Sequence, residues 1–169
     1  VCPGGEVVAA ASEEKRVVTN GMSEFARDGE NINGGLLVSV TPEDFPSGDT
    51  LAGVRFQREL EDAAYRLGGG NYAAPAQRVE DFLKHRPSTG AGKVMPTYLP
   101  SVRWCDLHGC LPPFVCEALE EGLPMLGRKL RGFDAPDAVL TAVETRSSSP
   151  VRIVRDNLSF QSALRGLYP

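Results

Sequence analysis

Basic residues are in the minority in this sequence, and their shortage excludes a first class of function. The 169 residues include 18 Lys and Arg against 22 Asp and Glu, which gives a net charge of -4. A nucleic-acid interface needs a basic excess to displace counterions from phosphates, so this composition argues against one. The sequence also lacks an apolar run long enough to span a bilayer, and its start lacks the pattern of a signal peptide. We therefore expect a cytoplasmic protein with no nucleic-acid and no membrane partner.

Cysteine is also scarce. The four cysteines are Cys2, Cys105, Cys110 and Cys116. They are too few and too unevenly spaced for a disulfide framework, so we expect reduced thiols. Three of them surround His108, but the spacing matches no paired zinc pattern, and such thiols are more often apolar packing residues. The sequence therefore predicts no metal site. We expect His108 to be a capping or hydrogen-bonded residue that Asp106 could orient if a substrate bound nearby.

The hydrophobic pattern predicts an α+β fold with a mixed or mostly antiparallel sheet and helices packed on one side. We expect strands at 6–11 and 16–19, joined as a hairpin, and at 36–41, 139–145 and 151–154. We expect helices from Leu51 to the glycines at 68–70, from Pro75 to about His85, and from Pro112 through an interruption or restart at Pro124. Irregular connections should run through Pro46, Ser47 and Gly48 and through 86–100. The length suits one domain, with a mainly helical part at about 51–131.

Neither glycine-rich segment has the features of a phosphate-binding loop. The glycines at 68–70 follow a predicted helix and are typical of a helix C-cap. The segment 88–93, Ser-Thr-Gly-Ala-Gly-Lys, has Pro87 in place of the first glycine and Val94 in place of the magnesium-binding hydroxyl. We therefore expect no nucleotide phosphate to bind at either segment.

A polar corner between the last two predicted strands is the candidate binding site. The corner consists of Arg146, Ser147, Ser148 and Ser149, followed by Pro150. One fixed cation and three hydroxyls beside consecutive backbone amides suit an anionic or carbonyl-bearing ligand. The same residue types are common in solvated turns, so an ordinary turn is the alternative.

Separated segments, in order along nearly the whole chain, carry a resemblance to a known family. They are residues 2–14 with 19–23, 36–45, 69–82 and 139–153. These segments resemble the uncharacterised bacterial FAD-dependent dehydrogenases known as NAD(FAD)-utilising. In that family a dinucleotide-binding fold precedes the first segment, and a second FAD-binding segment follows the last. The resemblance therefore implies that this chain, which starts without Met, is the central, substrate-facing domain inserted in a larger flavoprotein.

The resemblance also implies a cofactor, partners and site residues. It implies FAD in the parent protein, with the flavin-binding domain of the same parent chain and a small-molecule substrate as partners. The isolated chain is then expected to be inactive. Two segments would lie near the isoalloxazine ring: Cys2, Pro3, Gly4 and Gly5, and Thr145, Arg146, Ser147, Ser148 and Ser149. The resemblance assigns no catalytic acid or base.

Three functions remain open on the sequence. The first is flavin-dependent oxidation or reduction of a small molecule by the parent protein, in which an arginine and backbone amides stabilise charge on the reduced flavin. The second is a ligand-binding or regulatory module that performs no chemistry. The third is a metal-dependent hydrolase, which only the cluster of Cys105, His108 and Cys110 favours.

Overall fold

The computed structural model describes residues 1–45 and 48–169, so the connection predicted through Pro46 and Ser47 lies outside the described residues. The fold is α+β, as the sequence predicts. The strands are β1 Cys2–Pro3, β2 Gly5–Ala9, β3 Thr19–Ser23, β4 Ile32–Asn33, β5 Ala74–Arg78, β6 Val102–Trp104 and β7 Val139–Thr141. The α-helices are α1 Ala52–Leu67, α2 Val79–Leu83 and α3 Pro113–Lys129, and single 3-10 turns lie at Pro42–Asp44 and Leu107–Gly109.

The N-terminal hairpin is confirmed, with a shifted second strand. β2 pairs antiparallel with β3, from Gly5 opposite Ser23 to Ala9 opposite Thr19, and β1 pairs with β4. The sequence predicts the second strand at 16–19, whereas β3 begins at Thr19. Val17 and Val18 precede it and are buried in the core, and the Val17 N–H donates to the carbonyl of Glu61 in α1. Their β-branched side chains therefore serve packing against the helix.

A three-stranded sheet with β5 at its centre was not predicted. β5 runs parallel to β6 and antiparallel to β7. The sequence places Pro75 in the first turn of a helix that reaches His85, but that helix is only α2, and Pro75 lies within β5. Proline has no N–H to donate, and here its carbonyl accepts the N–H of Ala142. Most of β5 is buried, so tertiary packing overrides the helical pattern of its alanines.

Three other predicted strands differ from the structure. The segment 36–41 forms no ladder among the described residues, although Leu36 and Val38 pack against the core. The strand predicted at 139–145 ends at Thr141, because the chain then leaves the sheet and the Val143 carbonyl accepts the N–H of Thr19 on the hairpin. The segment 151–154 is outside every described strand and is largely exposed. A β-branched sequence without a neighbouring strand does not form a sheet.

The helices enclose one hydrophobic core. α1 is amphipathic as predicted, and α1 and α2 both contact β5. α3 continues through Pro124, where the sequence predicts an interruption, and Leu119 and Leu123 of this helix are buried. Their burial offsets the backbone hydrogen bond that a proline removes. The region 51–131 holds all three α-helices and also β5 and β6. Among the described residues, no helix is both long and apolar enough to cross a membrane.

Asp81 at the start of α2 anchors the loop that follows. Its side chain is 2% exposed and accepts hydrogen bonds from Arg78 Nε (2.8 Å), Arg86 Nε (2.6 Å) and Ser88 Oγ (2.7 Å). Burial acts to raise the pKa of Asp81, but the hydrogen bonds from Ser88, Arg86 and Arg78 outweigh it and lower the pKa below its ordinary 3.8. The folded state therefore favours the ionised carboxylate.

We expect Asp81→Asn to lower the free energy of unfolding by about 2–3 kcal/mol at neutral pH, because charge-assisted hydrogen bonds are lost. A depressed pKa contributes stability above the unfolded-state pKa and loses it as the pH falls through the folded-state pKa. The difference between wild type and variant should therefore narrow below a pH of about 4. Urea unfolding over a pH series measures this difference in stability, with Glu59→Gln, at an exposed position of α1, as control. A difference that is constant with pH contradicts the assignment.

Candidate functional site

The predicted polar corner is tied to α1 by a buried carboxylate. Glu61 has no exposed surface, and its two oxygens accept hydrogen bonds from Arg146 Nε (2.6 Å) and Nη2 (2.8 Å). The Thr145 hydroxyl donates to the same carboxylate at 2.7 Å. Hydrogen bonding to Glu61 raises the pKa of Arg146. Such a bidentate pair fixes both the position and the orientation of the guanidinium.

A second layer of polar contacts surrounds this pair. Arg146 Nη2 lies 3.3 Å from Glu13 Oε1, and Glu13 also pairs with Arg58 at 3.0 Å. Hydrogen bonds from Arg58, and then from Arg146, lower the pKa of Glu13, while burial opposes them. Gln57 Nε2 donates to the Thr145 carbonyl at 2.6 Å. Two arginines therefore face two carboxylates, so the cluster is close to electrically neutral.

The corner lines a groove on the surface, which we call the serine groove. Its volume is about 470 Å³, within the range of small-molecule sites. The lining residues are Glu13, Val54, Gln57, Arg58, Arg146, Ser147, Ser148, Ser149 and Pro150. The Ser149 hydroxyl is engaged locally, since it donates to the Val151 carbonyl at 2.7 Å. Ser147 and Ser148 are exposed at the groove, and the Ser148 carbonyl accepts a longer hydrogen bond from Gln57 Nε2 at 3.4 Å.

The other predicted segment lies in a different place. Cys2 and Pro3 form β1, and Gly5 begins β2. Gly4 adopts a φ of +61°, and a Cβ there would lie 2.4 Å from the backbone of Arg27, so glycine is required. Gly5 lines a smaller groove of about 220 Å³ with residues 29–31 and 95–97.

The structure therefore does not bring the two predicted segments into one pocket. β2 spans five residues, or roughly 13 Å between its ends at about 3.3 Å per residue. Gly5 lies at one end of this strand, and at the other end Ala9 pairs with Thr19, which bonds Val143 of the segment leading to the corner. Residues 2–5 and 145–149 thus lie toward opposite ends of the hairpin. Their common role toward a flavin stays a prediction.

The three thiols near His108 lie in or against the hydrophobic core. Cys110 and Cys116 lie in the hydrophobic core, as expected for packing residues. Burial raises the pKa of Cys110 to about 12, and burial also raises the pKa of Cys105 and of Cys116. A thiol with a raised pKa is a weak nucleophile and a weak metal ligand.

His108 has more partners than the sequence indicates. Its Nδ1 lies 2.6 Å from Asp106 Oδ1, so His108 is the hydrogen-bonded residue that the sequence predicts. The cap is Asp106, because its Oδ1 also accepts the His108 backbone N–H at the start of the 3-10 turn. Its Nε2 lies 3.0 Å from Glu120 Oε1. The ring stacks between Phe82 and His85, with centroids 4.6 Å and 4.7 Å away. Neither Glu120 nor His85 was expected from the sequence, whose one relevant signal is that it contains only two histidines.

The fold is an α+β domain with a polar groove on its surface, and comparison with known proteins places it in a family. Residues 1–147 match the family described as FAD-dependent protein, C-terminal domain-like, and the chain belongs to this family. An uncharacterized protein of Clostridium beijerinckii is 52% identical over 170 residues, which cover 100% of this chain and 32% of that relative. The chain thus spans about a third of the length of this relative.

β5 and β6 are the parallel strands of this chain, and α2 follows β5. This strand–helix–strand unit does not fit the pyrophosphate of FAD. In a dinucleotide-binding unit, a glycine-rich turn joins the first strand to a helix whose N-terminus faces the phosphates. Here β5 ends at Arg78 and α2 begins at Val79, with no glycine between them, and α2 has five residues. The serine groove, in contrast, is lined by hydroxyl and amide groups, which are the kind of groups that hydrogen-bond the polar edge of a flavin ring.

Proposed function

We propose that this chain is the substrate-facing domain of an FAD-dependent oxidoreductase that acts on a small molecule, and that the serine groove faces the flavin ring. The observation that carries the proposal is the Glu61–Arg146 pair, which fixes the corner at the edge of the groove. Membership of the FAD-dependent family supports a flavoprotein parent. FAD, held by another part of the parent protein, would supply the electron-transfer chemistry.

The residues of the corner have different roles in this proposal. Arg146 is a positioning residue, because Glu61 already binds its Nε and Nη2 and balances its charge. Ser147 and Ser148 then present hydroxyls and backbone amides toward the ligand. Such donors, held in place before a reaction, stabilise negative charge that develops on a bound ring. Gln57 supports them by holding the Thr145 carbonyl.

We propose that residues 2–5 contact the flavin-binding domain from the other end of the hairpin. Gly4 holds a conformation that a side chain would disrupt, so the path of this segment is fixed. Cys2 and Pro3 are exposed and pair with the short strand β4. In this arrangement the domain of residues 1–169 contacts its partner domain at two places, residues 2–5 and the serine groove.

A non-catalytic ligand-binding module is the second candidate function. The charged residues that line the serine groove are Glu13, Arg58 and Arg146, and each of them is in an ion pair. None of the three is therefore free to act as a general acid or base without breaking a pair. A module that binds a ligand beside a flavin and transfers no electrons to it would need no such group.

The absorbance spectrum of the purified proteins tests the proposed function. We expect full-length protein to carry stoichiometric FAD, and the 169-residue chain alone to fold and bind FAD weakly or not at all. The reason is that none of the described strands leads through a glycine-rich turn into a helix, as a pyrophosphate-binding unit requires. Circular dichroism of the isolated chain verifies its folding. Full-length protein without flavin would contradict the proposed oxidoreductase function. Stoichiometric FAD on the isolated chain would contradict the proposal that another part of the parent protein holds the FAD. Flavin reduction by a donor, as opposed to ligand binding alone, separates the two candidate functions.

A further inference from the structure

We propose that His85, His108 and Glu120 form a binding site for a divalent transition metal, with Zn²⁺ as the best match. Each residue offers one ligand atom, and the three atoms lie within 4.8 Å of one another. Glu120 Oε1 is 3.0 Å from His108 Nε2 and 3.3 Å from His85 Nε2. The residues come from three places in the chain: the turn after α2, the 3-10 turn at Leu107–Gly109, and the middle of α3. Folding therefore assembles the cluster.

The donor set suits zinc. Two imidazole nitrogens and one carboxylate oxygen form the three-ligand arrangement that leaves a fourth position for water or another ligand. Zinc bonds to nitrogen and oxygen are about 2.0–2.2 Å long, so binding an ion requires an adjustment in which the His85 ring turns out of its stacked position, 4.7 Å between centroids from His108. His85 can provide it, because its side chain is 63% exposed.

The residues around His108 fix the orientation of its ring, with Nε2 available to bind a metal on the side of Glu120. The Nδ1 atom faces Asp106 at 2.6 Å, which directs Nε2 toward Glu120. A carboxylate that binds the second nitrogen of a metal-ligating histidine is the usual support of such sites, because it fixes the tautomer and the ring orientation. Asp106 is itself held, since it accepts the His108 backbone N–H at 3.1 Å and a longer bond from Gln77 at 3.4 Å. Phe82 covers one face of the ring.

The sequence predicts no metal because it brings only His108 and the thiols together. The proposed site uses none of the cysteines. It adds Glu120 and His85, which lie 12 residues after and 23 residues before His108. The site also stands independently of the flavin proposal, since none of its three residues lines the serine groove.

Calorimetric titration of chelator-treated full-length protein with Zn²⁺, in the presence of a reductant, tests the proposal. We expect one Zn²⁺ per chain. His85→Ala and Glu120→Gln should each weaken binding by more than about a hundredfold, because loss of a ligand exceeds the roughly 10- to 100-fold loss typical of a second-shell change. Asp106→Asn should weaken Zn²⁺ binding by roughly 10- to 100-fold, because Asp106 supports a ligand and is not one itself. Glu121→Gln, one position along α3 and outside the cluster, is the matched control and should bind as wild type.

One further variant, and the exposed position of His85, keep the test decisive. Cys105→Ser should leave the affinity unchanged, which excludes binding through this thiol. Should Glu120→Gln fail to fold, the exposed His85→Ala decides alone, since its removal leaves the core intact. Absence of Zn²⁺ binding to the wild type, or undiminished binding in His85→Ala, overturns the proposal.

Discussion

Replacing Arg146 with Ala is expected to lower the free energy of unfolding by about 3 kcal/mol, because it leaves a buried carboxylate without its cation. Glu61 has no exposed surface, and Arg146 supplies two of its hydrogen bonds. Breaking a buried pair from one side costs about 3–5 kcal/mol. The low end applies here, since the Arg146 side chain is 39% exposed and the Thr145 hydroxyl remains bonded to Glu61.

Two companion variants separate this explanation from a general effect of mutating the groove. Arg146→Lys keeps the charge and loses the planar fork, so its loss of stability should be intermediate. Arg58→Ala removes an arginine from the same groove, but its partner Glu13 is partly exposed, so the loss of stability should be much smaller than for Arg146→Ala. Urea unfolding of the 169-residue chain measures all three. Equal effects of Arg146→Ala and Arg58→Ala, or a loss within about 0.5 kcal/mol for Arg146→Ala, contradict the account.

Elements with strong local patterns were predictable from the sequence. α1 has apolar side chains at helical spacing and a glycine run after it, and both signals are local. The hairpin was predictable only in part, because its second apolar run, Val17 and Val18, packs in the core and β3 begins after it at Thr19. The polar corner was identified as a candidate site from composition, and the structure places it on a groove. In these cases neighbours in sequence carry the information.

Features that depend on distant residues were missed. β5 contains Pro75 between alanines, a sequence typical of a helix start, and it becomes a strand because β6 and β7 pair with it. The carboxylate that holds Arg146 lies 85 residues earlier on α1, where Glu61 is one of several acidic residues and nothing local marks it as buried. The His85–His108–Glu120 cluster was missed for the same reason, because folding brings together residues that are distant in sequence. Burial and partner choice are properties of the folded chain.

The second large effect concerns the redox potential of the flavin. If the serine groove faces the isoalloxazine ring, an added negative charge at Ser148 should destabilise the reduced, negatively charged flavin. At a separation of about 8 Å and an effective dielectric constant of about 20, this interaction amounts to about 2 kcal/mol. For a two-electron couple that energy corresponds to about 45 mV. Ser148 is exposed, so Ser148→Asp leaves the fold of the domain intact.

The midpoint potential of FAD in full-length protein therefore tests the central claim most directly, and it requires no knowledge of the substrate. Ser148→Asp is compared with wild type and with Ser101→Asp, which adds the same charge at an exposed serine outside the groove. We predict a potential about 45 mV more negative in Ser148→Asp alone, with Ser101→Asp at the wild-type value. A potential that is unchanged in Ser148→Asp, or shifted equally in both variants, would show that the groove does not face the flavin.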